Sequence, residues 1–503
     1  MTDLRSTDIA SAVPARTFWG HPRGLMTLFF TEMWERLSYY GMRSILILFL
    51  VDATRGGFGL DDKTVAAIYG LYTAGVYLVA LPGGWIADRL LGAQRAIWWG
   101  SAVIMLGHIL LAFGTVPSVF YLGLVTIVVG TGLLKPNIAA VIADLYPEGG
   151  GRRDAGYTLF YMGINVGGLL GPLVVAGLAE AYGWHVGFAA AAVGMGVGLV
   201  QFRLTRGALQ GVGLQPSAKH RFDERDKTQS ILRWLGVAAL TMLVLLFARL
   251  LPFDPVFVAR NTAWMIVSTA IAFFVYLALF AGFDVVARRR IWVVVALFVA
   301  SSLFWAGFEQ AGSSFNLFAE RFTDRMIDAW RFEVPAGWFQ SANSLFILIF
   351  APLFAVLWSA LAKHNRDLSA PAKLGWGLLL VGAGFLVMAK ASTYVAGGDK
   401  VLPSWLITVY LLHTFGELCL SPVGMSAVTK LAPRRFVGQM MGIWYVSLSL
   451  GSLLAGLIAG EFDATRLAAM PGQYFAIAWL VVLPGVLLLL LGPLLKKASG
   501  GVS

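Results

Sequence analysis

The chain has 503 residues, 58% of them hydrophobic and 13% charged, with a mean hydropathy of +0.75, a balance that excludes an ordinary soluble domain and indicates an integral membrane protein. One cysteine, Cys419, rules out an intramolecular disulfide, and six scattered histidines argue against a structural zinc site. The net charge of +11 leaves nucleic-acid binding to be judged by where the bases lie.

The opening M-T-D-L-R-S-T-D-I-A lacks the basic start and apolar core of a cleavable signal peptide, so the first apolar run is expected to persist as a membrane helix. Runs of spanning length read as 25–51, 62–87, 95–114, 118–144, 156–180 and 184–202. After a charge-dense stretch come 231–252 and 260–282, then 289–320, 335–362, 372–393, 401–430, 436–460 and 472–495. This six, two, six pattern predicts an all-α integral membrane fold of fourteen transmembrane helices. It divides into a six-helix bundle at 1–202, a cytoplasmic linker at 203–230, a two-helix hairpin insertion at 231–285 and a second six-helix bundle at 286–503. Alternating the sides places Arg89, Arg95, Arg152, Arg153, Arg203, Arg206, Arg288, Arg289, Arg290, Lys496 and Lys497 together with many other bases on one side, and far fewer opposite. The positive-inside rule therefore puts both termini in the cytoplasm and explains the net charge as topology rather than a nucleic-acid footprint.

The first span is the anomalous one. Inside its apolar run stand Glu32, Glu35, Arg36, Tyr39, Tyr40 and Arg43, within an arc of about 140° at helical spacing. A charge at mid-bilayer costs roughly 2.5–3.5 kcal/mol on insertion scales, so such a set is expected to face a cavity and to carry function. The second span ends in G-G-W-I-A-D-R-L-L-G-A-Q-R, 83–95, which resembles the signature loop of the major facilitator superfamily, with one extra residue before Gly92 and a glutamine before the last base. In the fourth span Pro136 frees a backbone carbonyl and bends the helix beside Lys135, whose plainer reading is a lysine snorkelling to the interface. Tyr157, Tyr161, Asn165 and Gly168 form a polar face on the fifth span, and Asn165 is either a ligand for substrate backbone or a bond between helices.

E-x-x-E-R-x-x-Y-Y on the first span, G-L-L-K-P-N on the fourth and F-Y-M-G-I-N-V-G-G on the fifth together resemble the proton-coupled oligopeptide transporter family of the major facilitator superfamily. The likeness continues through F-W-A-G-F-E-Q, 304–310, and F-G-E-L-C-L-S-P-V-G, 415–424, and departs from the family pattern at Leu37, where phenylalanine is usual. The resemblance implies two six-helix bundles of the major facilitator fold plus the hairpin of prokaryotic members. It implies proton coupling at Glu32, Glu35 and Arg36, and a peptide site lined in its first half by Tyr40, Arg43, Tyr77, Lys135 and Asn165, with Tyr69 and Tyr72 close to Tyr77.

In the second half, Glu309 stands alone in apolar surroundings that penalise its charged form, which makes it a candidate proton carrier; the plainer reading is a permanent pair with Arg43. Glu417 is the best candidate for a peptide ammonium group, while Arg43 and Lys135 suit the carboxylate. Trp305, Asn343, Ser421 and Trp444 complete the expected substrate residues, although an aromatic in a membrane helix is more often packing. His413 is expected to be a hydrogen-bonded core histidine. Lys135 is expected to pair with a carboxylate of the first-span cluster until a proton arrives.

These readings predict a proton-coupled symporter importing di- and tripeptides by alternating access, multi-pass in the cell inner (plasma) membrane. The proton gradient would be its energy source, with no cofactor. The expected partners are peptides, protons and the lipid bilayer, without nucleic acid and in a monomeric state. A transporter of nitrate or another small solute is the alternative; an intramembrane enzyme lacks any G-x-S-x-G, H-E-x-x-H or P-loop pattern, and a peptide sensor would not need two symmetric halves.

Overall fold

The structure is a computed structural model that describes residues 17–18, 20–148, 150–216, 228–234, 236–238, 241, 253–364, 368–462 and 466–499, apart from the side chains of 18, 421–423 and 434. The first six long helices are α1 (Arg23–Val51), α2 (Asp62–Leu91), α3 (Ala93–Ala112), α4 (Pro117–Asp144), α5 (Gly150–Tyr182) and α6 (Trp184–Thr205). After the linker come α7 (Pro255–Leu279), α8 (Val285–Phe322), α9 (Ala336–Lys363), α10 (Ala370–Ala396), α11 (Pro403–Leu431), α12 (Val437–Ala459) and α13 (Met470–Ala498). The expected run at 231–252 lies largely outside the described residues.

Local chemistry sets the helix ends. Proline opens α4, α7 and α11, where its missing N–H has no helical partner to lose. Asp61, Asp254 and Asp284 cap α2, α7 and α8 by accepting backbone N–H groups of Thr64, of Val256 and Phe257, and of Ala287. α6 continues to Thr205, past the expected boundary at 202, because the polar residues that end its hydropathy still favour helix.

Twelve helices among the described residues are long and apolar enough to cross a membrane. α1 is not one of the twelve, since every 18-residue window of it holds more than two of Arg23, Glu32, Glu35, Arg36 and Arg43. The charges that hide α1 from a hydropathy criterion are the ones that marked it in the sequence. Its 29 residues nevertheless reach about 43 Å at 1.5 Å each, more than a bilayer core. The fold is all-α and membrane-spanning.

In the first set, α1 packs on α5 and α6, and α3 on α4 and α6; in the last set, α10 packs on α11 and α13, and α8 on α12. The two sets meet through α2 against α12 and α5 against α9. α7 lies outside both, packed on α2 and α12 with Phe257, Trp264 and Met265 exposed on its open face. Where α2 crosses α12, a Cβ on Gly456 would stand 2.4 Å from the carbonyl oxygen of Ala66 and 2.7 Å from Cα of Gly70, so only glycine permits that approach. Bonds between the sets gather at the helix ends remote from the linker. There Arg321 forms a two-pronged ion pair with Asp62 at 2.6 and 2.7 Å, Lys63 lies 3.3 Å from Glu461, and Asn316 donates to the carbonyl of Ser44 at 2.8 Å.

Candidate functional site

The site forms where α8 stops being regular. Its α-helical hydrogen bonding tightens over Glu309–Gly312, breaks at Ser313 (φ −120°, ψ −97°), and resumes over Ser314–Phe322. Glycine and serine are weak helix formers, so the break falls where the sequence resists helix least. At Gly312 a Cβ would lie 2.0 Å from the hydroxyl oxygen of Tyr69, and the absent side chain is what lets that hydroxyl through. Tyr69 then donates to Glu309 Oε2 at 3.2 Å.

The same carboxylate oxygen accepts from Arg43 Nη1 at 3.1 Å, an ion pair between α1 and α8 with both side chains buried. Arg43 Nε also donates to Gln340 Oε1 at 3.3 Å. Burial of two charges is tolerated only with close pairing and added hydrogen bonds, and here Tyr69 and Gln340 supply them. The pairing anticipated between Arg43 and Glu309 is therefore present.

These groups face a cavity lined by both sets of helices. Of the expected residues, Tyr40, Arg43, Tyr77, Asn165, Trp305, Glu309, Asn343 and Glu417 line it. At one side Asn343 Nδ2 donates to Glu417 Oε2 at 3.1 Å and to Thr414 Oγ1 at 3.0 Å, which fixes the carboxylate against α9. Ile164, Phe308 and Ile347 give the walls an apolar part. Two buried donors on the lining, Trp305 Nε1 and Gln340 Nε2, have no acceptor. An unmet buried donor costs about 1–3 kcal/mol, so these two favour an occupant that brings acceptors.

Glu32, Glu35 and Arg36 are buried beside the cavity rather than on its wall. Arg36 Nη2 donates to Glu35 Oε1 at 2.7 Å, its Nε also contacts Glu35 Oε2, and Glu32 Oε1 lies 3.2 Å from that Nε. Glu32 Oε2 has no partner. Tyr40 bridges this cluster and the cavity, its ring centre 5.8 Å from the Arg36 guanidinium and 5.3 Å from that of Arg43. Lys135 does not line the cavity, and its ammonium sits 4.7 Å from the centre of the Tyr77 ring rather than against a carboxylate of the cluster. Asn165 donates to the carbonyl of Tyr161 on its own helix at 2.9 Å while lining the cavity. Trp444 lies off the lining, buried against Gly424, whose Cβ position its ring occupies. The side chain of Ser421 lies outside the described residues. His413, fully enclosed, has Nε2 at 3.2 Å from the carbonyl oxygen of Val381, a core histidine that also lines the cavity.

Sequence reasoning passed over Tyr69 as a partner of Glu309 and Thr414 as a partner of Asn343. For Thr414 the signal was available: it lies three residues before Glu417, on the same face of a helix.

A family model described as the POT family matches residues 94–477. The chain belongs to the POT family. It is 43% identical to Peptide transporter YePEPT of Yersinia enterocolitica over 95% of this chain and 96% of that protein. It is 34% identical to a di-/tripeptide transporter of Lactococcus lactis subsp. cremoris over 97% of this chain and 98% of that one. The crystal structure of a mutant of peptide transporter POT in complex with alafosfalin superposes with a TM-score of 0.88 at 37% identity, covering 97% of each chain. POT family proteins are transporters, not enzymes, so the enzyme alternative is closed.

Proposed function

We propose that this POT family protein is a proton-coupled symporter of di- and tripeptides, working by alternating access in the plasma membrane with both termini cytoplasmic. The observation that carries this reading is the buried Arg43–Glu309 pair, which joins the two sets of helices inside the cavity. Its relatives, peptide and di-/tripeptide transporters, support the substrate class.

In this reading a proton reaching Glu309 neutralises its carboxylate and leaves Arg43 without a counter-charge. The carboxylate of an incoming peptide then takes that place, while Glu417, held by Asn343, receives the peptide ammonium. The unmet N–H groups of Trp305 and Gln340 donate to the peptide carbonyls. Recognition falls on the termini and backbone, and the mixed aromatic and aliphatic walls tolerate varied side chains. Loss of the proton on the other face restores the Arg43–Glu309 pair and expels the peptide carboxylate. Glu32, whose Oε2 has no partner, is a second place for a proton, with Lys135 as the base it would engage.

The test is uptake of labelled dialanine into proteoliposomes, acidic outside. Glu309→Gln should retain counterflow and lose accumulation against a gradient. Undiminished accumulation would remove Glu309 from coupling. Unlabelled dipeptides should compete in the same assay and nitrate should not.

A further inference from the structure

A second hollow, open to the surface, lies at the linker end, bounded by α3, α6 and the first residues of the linker. Its floor is a built structure. After α6 a tight turn over Arg206–Leu209 buries Leu209, and the chain folds back so that Gln94 Nε2 donates to Val212 O at 2.6 Å and the Gln94 backbone N–H to Gly213 O at 2.9 Å.

Two guanidinium groups, Arg95 and Arg206, line the hollow, and among the described residues no acidic one does. Neither arginine is in an ion pair among the described residues. Trp98 and Trp99 pack edge to face along the wall with ring centres 4.7 Å apart, and the Trp98 indole N–H has no acceptor. From this hollow two apolar stripes run toward the far side. Along α3 and its C-cap they are Trp99, Leu106 and Phe113, seven residues apart; on α6 they include Val193, Val197, Val200 and Leu204, all exposed. α3 and α6 pack on each other, so the stripes flank one seam.

We propose that this hollow binds the phosphate of an anionic phospholipid, whose acyl chains lie along the seam between α3 and α6. Guanidinium groups match phosphate oxygens in pairs, and tryptophans favour the interface where headgroup meets hydrocarbon. The hollow lies on the side that the lysine and arginine bias assigns to the cytoplasm, the leaflet rich in anionic lipid. A free phosphate ion would satisfy the arginines but leave the apolar stripes without a role. The proposal is independent of the transport reading.

Native mass spectrometry of the full-length protein, titrated with phosphatidylglycerol or phosphatidylcholine, tests it. Phosphatidylglycerol should bind at one preferred site ahead of phosphatidylcholine. Each base near an anionic surface is worth roughly fivefold, so Arg95→Gln with Arg206→Gln should weaken that site roughly 25-fold. Arg203→Gln, on the same helix end but off the lining, should change it far less. Equal binding of the two lipids, or an equal loss with Arg203→Gln, overturns the proposal. Inorganic phosphate that displaces phosphatidylglycerol at equal concentration would make the ligand a soluble anion and overturn the lipid assignment.

Discussion

Asp52, just past the end of α1, shows how one residue can hold two helices without crossing the membrane. Its carboxylate accepts from the Trp184 indole N–H at 2.7 Å, from the Thr54 backbone N–H at 2.9 Å and from the Arg55 backbone N–H at 3.0 Å. Partial burial works against its charge, but these hydrogen bonds outweigh it and hold the Asp52 pKa below the ordinary 3.8. A carboxyl depressed in the folded state binds fewer protons than in the unfolded one, so its contribution is full above 3.8 and fades as pH falls through the lower folded value. Asp52→Ala should therefore cost about 1–3 kcal/mol at neutral pH and progressively less as the pH is lowered below 3.8, read from thermal midpoints in detergent. A gap of equal size at both pH values would remove the carboxylate from that role. At this scale much of the cavity was legible, because a charge inside an apolar run is costly enough to announce itself: Arg43, Glu309 and Glu417 needed no structure. Tyr69 did not announce itself, since Tyr69, Tyr72 and Tyr77 share one helix and only the break after Glu309 decides between them. Lys135 and Trp444 illustrate the converse, in that helical position alone did not give the direction of a long side chain.

Among elements, the crossing of α2 and α12 at Gly70 and Gly456 brings the backbones of the two sets together, in the arrangement closed at the end remote from the linker. A methyl on Gly456 meets backbone, which cannot rotate away, so Gly456→Ala should disfavour the closed arrangement by about 1–3 kcal/mol. Distances between spin labels at the exposed positions Gly56 and Ala329 should then gain a longer population, and an unchanged distribution would show that the crossing bears no such load. Helix limits among the described residues agreed with the sequence to within six residues, most closely where Pro117 and Pro403 mark starts by covalent geometry, whereas α7 begins at Pro255, ahead of the expected 260. The packing partners of each helix were not legible, because small residues permit close approach without naming the neighbour. The charge-dense linker carries no sequence sign of an anchor, yet its first residues are fastened to α3 through backbone carbonyls of Val212 and Gly213, acceptors that every residue carries.

For the molecule as a whole, the proposed symport of a zwitterionic peptide with a proton would carry net positive charge inward. One charge across 100 mV is worth about 2.3 kcal/mol, so imposing that potential, inside negative, should raise steady dialanine accumulation by up to roughly 50-fold per charge. Potassium diffusion potentials in proteoliposomes measure this, and accumulation indifferent to potential would show that no net charge crosses. Apart from α1, the long helices of both sets were legible in hydropathy, whereas the pairing across the sets lies 266 residues apart in sequence and only chemistry suggested it. That separation also has a clock. At about 5–20 residues per second of synthesis, Arg43 is made roughly 13 to 53 s before Glu309 exists. During that interval α1 enters the bilayer with a guanidinium whose carboxylate is still untranslated, so the final seating of the first helix waits on the emergence of the eighth.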